Sequence, residues 1–412
     1  MKFRTLIFVC LCAIPSWLAA APLPAVPGFS PNLTFYLAKG PPNSCGPGCD
    51  HWIAVEGTVD SSAAGRLRRF LESVKDTQRP IYFHSPGGIV DQAYVIGRYL
   101  RGRKAVARVG RTVVSACNAE SQLDDACMKI KRVGGEVDAT IETARSMCNS
   151  ACVYMFLGAN SREVAADATL AVHNSRLTFF ITSGHPTAQQ MAEFKSQRTL
   201  SAARGMTAYI RSMGIDSELD NLIKSVKFES VHPLTRAELY RFGIDKRTLV
   251  ETAWTFEAAA RPFIRKDALT LKDDASFRPM QWRLFCDNNN RVRLIYVRQH
   301  DAGSVGKSSL VLLAGKVRSV ILGTIPGQAG EHEVWNGIFS SDVMNAALAE
   351  THLQMGELNA LSEGADTPRL FAIDTVGLAS AWDRLAASCA PAVARSPPPA
   401  ATPPPAASAP AP

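Results

Sequence analysis

Two stretches, WIAVEGTV (52–59) and RPIYFHS (79–85), concentrate β-branched and aromatic side chains in continuous apolar runs, the pattern of strands buried on both faces. Between them SAAGRLRRFLESV repeats its apolar positions every three to four residues, and GIVDQAYVIGRYLRG does so again after the second strand, predicting two amphipathic helices. KAVARVGRTVV (104–114) reads as a third strand. VYMFLGA and ATLAVHN follow, then a long helix from about Thr187 to Met213. Strands alternating with helices of these lengths predict an α/β domain with a parallel sheet over residues 51–250. From Glu251 to Pro279 the alternation stops and charge rises, so 251–280 reads as a linker. Beyond it WRLFC, RVRLIYVRQ, SLVLLAGKVRSVILG and a strand near Glu333 to Ile338 predict a small, mainly β domain over 281–390. Asp374 is placed to cap its last helix, VGLASAWDRLAASC.

Both ends of the chain stand apart from this pattern. Lys2 and Arg4 precede an apolar run from Leu6 to Leu18 that closes on Ala19, Ala20 and Ala21, the order of a secretory signal peptide over residues 1–21. The run is shorter than the roughly 20 residues that span a bilayer. Nine of the 25 prolines fall in residues 391–412, a Pro/Ala tail that cannot form a packed core. Residues 22–50, rich in Pro, Gly and Asn, read as an irregular leader. A periplasmic or secreted protein is therefore expected, and 412 residues suit about two domains.

Charge narrows the partners. The net charge of +8 is mild and scattered over helix faces without aromatic interleaving, which argues against a nucleic-acid partner. Eight cysteines remain once Cys10 and Cys12 leave with the signal peptide, an even count suited to disulfides. Spacing favours Cys45 with Cys49, Cys117 with Cys127, and Cys286 with Cys389, while Cys148 and Cys152 can pair with each other or with Cys117 or Cys127. Zinc is the competing use, but there is no CxxC and no nearby histidine pair, so no metal is expected.

Several motifs fail on inspection. VGKSS (305–309) lacks the glycine of a phosphate loop, having Asp301 in its place, and neither HExxH nor GxSxG occurs. Two segments survive. In HSPGGIVDQAYVIGRYL, Pro86, Gly87 and Gly88 sit between a strand and a helix, where glycine backbone can approach a ligand. In MCNSACVYMFLGANSREVAADATLAVHN, Ser150 opens an apolar helix, Gly158 closes it, and His173 follows Arg162 by eleven residues.

The order and spacing of these residues resemble the proteolytic subunit of Clp protease and the wider ClpP/crotonase superfamily, over roughly residues 52–246 and including LTRAELYRFGID (234–245). CNSAC, YIRSMGID and the signal peptide are similar, more narrowly, to the exported periplasmic ClpP-like proteins of bacteria. The resemblance implies a core of repeated β-β-α units. It also implies Ser150 as nucleophile, His173 as base, and Gly87, Gly88 and Ala151 as the oxyanion hole. The sequence departs from the family at Val231, where an aspartate would orient the histidine; Glu229 and His232 are the nearest polar residues. About thirty residues, Ser115 to Arg145, are inserted before the nucleophile turn.

The chemistry expected is that of an exported serine hydrolase. It would be a peptidase on short or unfolded peptides, independent of ATP and of an ATPase partner, and without a cofactor. Glu229 is the carboxylate available to hold His173, and a Ser150–His173 dyad is the alternative. A catalytic thiol at Cys148 or Cys152 is a rival to Ser150. The competing function is a non-catalytic ClpP-fold envelope protein acting through its β domain and tail, with a crotonase acting on a coenzyme A thioester third. Assembly into a homo-oligomer and envelope contact through the tail are compatible with either of the first two.

Overall fold

The computed structural model describes residues 32–119, 121–177, 186–287, 291–299, 308–314, 318–322, 326–359 and 369–389. The signal peptide, the Pro/Ala tail and the first part of VGKSS lie outside the described residues.

The first unit runs β1 (Thr34–Lys39), β2 (His51–Val59), α1 (Ala63–Ser73), β3 (Ile81–Gly88), α2 (Val90–Gly102), β4 (Val106–Val109), β5 (Arg111–Val114) and α3 (Asp125–Arg132). It continues with β6 (Glu136–Glu142), β7 (Met147–Asn149), α4 (Ala151–Leu157), β8 (Ser161–Glu163), β9 (Thr169–Val172), α5 (Ala188–Ser212), α6 (Glu218–Ser225), β10 (His232–Pro233) and α7 (Arg236–Arg241). Two strands followed by a helix recur as β1-β2-α1, β4-β5-α3, β6-β7-α4 and β8-β9-α5. The strands make one sheet in the order β10-β9-β7-β3-β2-β1-β6-β5, with β4 joining β3 to β8.

β3 is the branch point. Its first half pairs in parallel with β4, through Phe83 opposite Val109, and its end pairs with β7, through Ser85 opposite Cys148. The sheet therefore splits beyond Phe83, at the carboxyl ends of parallel strands, where open α/β sheets place their ligand crevices. Helix α4 plugs the split. All seven of its residues are buried, as befits a helix that is apolar all round. It lies close against α2, and a Cβ on Gly158 would fall 2.3 Å from Gly97 Cα.

Three expectations about the strands need correcting. The leader contains strand β1, which alternates buried and half-buried side chains and pairs antiparallel with β2. KAVARVGRTVV forms two strands rather than one, β4 and β5, broken at Gly110. The supposed linker is sheet: Leu249–Glu251, Thr255–Glu257 and Phe263–Leu271 are strands of the second unit. Its side chains alternate between the two faces, so Ile264, Lys266 and Ala268 point inward while Arg265 and Asp267 stay half exposed.

Among the described residues every strand pairing of the second unit is antiparallel. A seven-stranded sheet and a four-stranded sheet enclose a core in which Trp282, Tyr296 and Trp335 are buried, Tyr296 lying 5.3 Å and 5.1 Å from the two tryptophan rings. Its last helix, Leu378–Ser388, is joined to the strand Phe277–Asp287 through Cys286 and Cys389, whose Cα atoms are 5.8 Å apart. Asp374 does not cap this helix. It ends a strand, and its carboxylate accepts from Lys266 Nζ at 2.8 Å and from the Val376 N–H at 3.1 Å, while Gly377 stands at the cap.

Candidate active site

Between the last residue of β7 and the first of α4 stands one residue, Ser150, with φ +55° and ψ −123°. Few non-glycine residues adopt positive φ, and holding one there costs about 1–3 kcal/mol unless the surroundings over-determine it. Those surroundings are specific. β7 pairs in parallel with β9, Asn149 opposite Ala171, and the Ser150 N–H donates to the Ala171 carbonyl at 2.9 Å. Behind it sits Gly87 at φ +104°; a Cβ there would lie 2.7 Å from Ser150 Cβ, 2.6 Å from the Asn149 carbonyl oxygen and 2.9 Å from the Ala151 nitrogen. Only glycine permits this approach. Met147, three residues earlier, donates its N–H to His84 Nδ1 at 3.2 Å. Burial lowers the His84 pKa to about 4, so the imidazole stays neutral and able to accept.

His173 leaves β9 two residues beyond Ala171, at the same end of the sheet as Ser150. Its ring packs against Phe228, centroids 5.2 Å apart, and the next residue, Asn174, donates its N–H to the Val226 carbonyl at 3.0 Å. Nδ1 is buried without a hydrogen-bond partner among the described residues. Burial lowers the His173 pKa below its ordinary value, with the Asn174 backbone and the Glu229 charge pulling weakly the other way.

The donors expected for an oxyanion are unequal. The Ala151 N–H is the first of α4 and has no intrahelical acceptor. Gly87 gives its N–H to Ser85 Oγ at 3.1 Å. Gly88, at φ +141°, turns its open side toward β2, where a Cβ would meet the Val59 carbonyl oxygen at 2.3 Å.

Glu229 makes no hydrogen bond to His173 Nδ1, though its charge acts on the ring. Its carboxylate pairs with Arg176, whose guanidinium lies 4.4 Å over the Phe228 ring that packs on His173. Val231 is 52% exposed, and His232 Nε2 is engaged by both oxygens of Glu238 at 3.1 Å. The rival thiol nucleophile is corrected: Cys148 and Cys152 are fully buried and bonded to each other, and Cys45 is bonded to Cys49 and Cys117 to Cys127. Arg162, the spacing marker, has its own work, donating to the carbonyls of Leu157, Ala159, Gly243 and Ile244. Sequence reasoning missed His84 and Phe228. His84 stands directly before SPGG, a signal that was available; Phe228 reaches His173 from a segment more than fifty residues away and left none.

A cavity of about 140 Å³ lies between the two units, lined by Arg108, Glu163, Arg247, Glu251 and Asp374 among others and not by Ser150 or His173. Its arginines are satisfied within the protein, Arg108 by Glu163 and Arg247 by Asp245. Among the described residues no group of three or more His, Cys, Asp or Glu side chains is placed to hold a metal ion.

No family model and no curated protein matches the chain. Among solved structures, it is similar to invasion associated protein b from Bartonella henselae, at TM-score 0.26 and 12% identity over 33% of this chain and 92% of that one. It is also similar to a membrane-bound stomatin-specific protease, at TM-score 0.28 and 14% identity over 46% of this chain and 73% of that one. A ClpP1 mutant from Listeria monocytogenes matches at TM-score 0.28 and 14% identity, over 46% of this chain and 85% of that one. Likeness at these scores does not establish a shared activity.

Proposed function

We propose that the protein is a serine hydrolase, a peptidase on short or unfolded peptides that works outside the cytoplasm without an ATPase partner. One observation carries the reading: Ser150 stands alone at a strand-to-helix turn in a costly backbone conformation, with Gly87 pressed against it and the free N–H of Ala151 beside it. A sharp turn of this kind exposes a serine hydroxyl to an incoming carbonyl.

In this mechanism His173 takes the Ser150 proton as Oγ bonds to the substrate carbonyl carbon. The oxyanion that forms is held by the Ala151 N–H, with Gly88 as the second donor. The imidazolium returns the proton to the leaving amine as the carbon–nitrogen bond breaks. Water, deprotonated by His173, then cleaves the acyl-enzyme and restores Ser150. The lowered pKa of His173 favours the neutral form that can accept a proton.

Glu229 is bonded to Arg176, which supports a Ser150–His173 dyad over a triad. The same bond favours the second reading, a non-catalytic scaffold, because no carboxylate fixes the His173 tautomer and loss of that orienting group can cost about ten-thousandfold in turnover. An activated ester distinguishes them. With a dyad, Ser150→Ala and His173→Ala abolish hydrolysis and Glu229→Gln retains most of it. Hydrolysis by Ser150→Ala at the parent rate refutes the enzyme.

A further inference from the structure

Cys148 and Cys152 lie two residues to either side of Ser150 and are bonded across it, their Cα atoms 5.2 Å apart. Cys148 is the middle residue of β7, held between Ser85 of β3 and Leu170 of β9. Cys152 lies in the first turn of α4, and both residues are fully buried. The bridge therefore ties strand to helix around the single residue whose backbone is strained. The Ala171 carbonyl fixes the Ser150 N–H and Gly87 closes one side, but both contacts come from the sheet. A third contact, from the Val153 N–H to the Ser150 carbonyl at 3.0 Å, belongs to the first turn of α4 and is lost if that turn unwinds by a residue, so neither it nor the sheet contacts hold the helix start in place. The disulfide does, because Cys152 cannot move along the helix axis while Cys148 is pinned in the sheet.

Taking Ser150 as the nucleophile, as above, we infer that the Cys148–Cys152 disulfide is a positioning clamp for the reaction. Its removal lets Ser150 relax, slowing acylation while the fold persists. Reduction by a dithiol does the same: two electrons and two protons pass to the sulfurs, the dithiol becomes a disulfide, and two thiols remain in the protein. Burial of both sulfurs makes the clamp a standing one, oxidised once and kept.

The test compares three full-length chains: the parent, Cys148→Ala/Cys152→Ala, and Cys45→Ala/Cys49→Ala, which removes a bridge of the same sequence separation, 4 residues, away from the turn. Phosphonylation of Ser150 by a fluorophosphonate, in which Oγ displaces fluoride and whose rate stands in for acylation, kcat and KM on an activated ester, melting temperature and amide hydrogen exchange over residues 147–153 are measured on each. The clamp predicts at least tenfold slower acylation and lower kcat in the first variant, KM within twofold, and at least tenfold faster exchange of the Ser150 amide. The second variant melts earlier yet acylates as the parent does. Acylation at the parent rate in the first variant, or an equal fall in both, overturns the proposal. If the parent itself is not acylated, the hydrolase reading fails on its own. Exchange then decides: faster exchange at Ser150 in the first variant alone supports the clamp, and unchanged exchange overturns it. If the alanine pair does not fold, Cys148→Val/Cys152→Ala refills the space and is held to the same outcomes.

Discussion

Ser150 sits at its positive φ with Gly87 pressed against it on the sheet side and the Cys148–Cys152 bridge closing the turn across it. Alanine at Gly87 would force its Cβ within 2.7 Å of Ser150 Cβ and would itself be strained at φ +104°. Gly87→Ala is expected to displace the hydroxyl and cut kcat/KM on an activated ester about a hundredfold, the scale of a misplaced reacting group. Gly205→Ala, with nothing within 4 Å of the added carbon, should leave it unchanged. Equal activity in the two variants would count against the site. His173 makes a second claim. Burial disfavours its charged form, so the proton leaves at lower pH than from an ordinary imidazole and the neutral form that the proposed mechanism needs persists into acid. The acid limb of kcat/KM should have its midpoint below 6.5, the ordinary value for histidine. Glu229→Gln should move it lower still, because the Glu229 charge opposes the shift. A midpoint at or above 6.5 in the parent contradicts the burial seen here.

Among the elements, those whose signal was local were legible. Leu67 and Leu71 of α1, and Ala93, Ile96, Gly97 and Leu100 of α2, repeat at helical spacing, and α5 falls within a residue of the expected bounds. The helix that Ser150 opens was legible too, because its apolar run is continuous, whereas the short strand Met147–Asn149 before it was not expected. What failed depended on distant partners. The SPGG segment, expected as a turn, stays in strand β3 through Gly88 because β2 continues to pair with it, Thr58 with Gly87 and Val59 with Gly88. Lys266 looked like linker charge, yet it is buried against Asp374, a partner from the far end of the second unit. The inserted segment repeats the lesson. Lys131 of α3 is wholly buried, 2.8 Å from Glu56 of β2, and Glu56 also accepts from Tyr36 and Thr112. Lys131→Met would leave that carboxylate unpaired, and the expected loss is about 3–5 kcal/mol in urea unfolding. A loss below about 1 kcal/mol would mean that the insertion is only loosely attached.

For the whole molecule, the first unit's main core around Ile53, Phe83 and Phe156, with a smaller cluster around Trp52 and Tyr82, shares no residue with the second unit's core around Trp282, Tyr296 and Trp335. Two unfolding transitions follow from that separation. The Cys286–Cys389 bridge closes a loop of 103 residues within the second core's chain. Cys286→Ala/Cys389→Ala should lower that transition by about 4–5 kcal/mol on the loop-entropy model and leave the first where it was. A matching shift in both transitions would show the units to be one cooperative body. The central claim rests on the first unit alone. It is tested most directly by exposing the parent chain to a fluorophosphonate probe and locating the adduct by peptide mass spectrometry. The account predicts a single covalent adduct on Ser150, lost in Ser150→Ala and strongly slowed in His173→Ala; a parent chain that stays unlabelled at Ser150, or carries its adduct elsewhere, contradicts it.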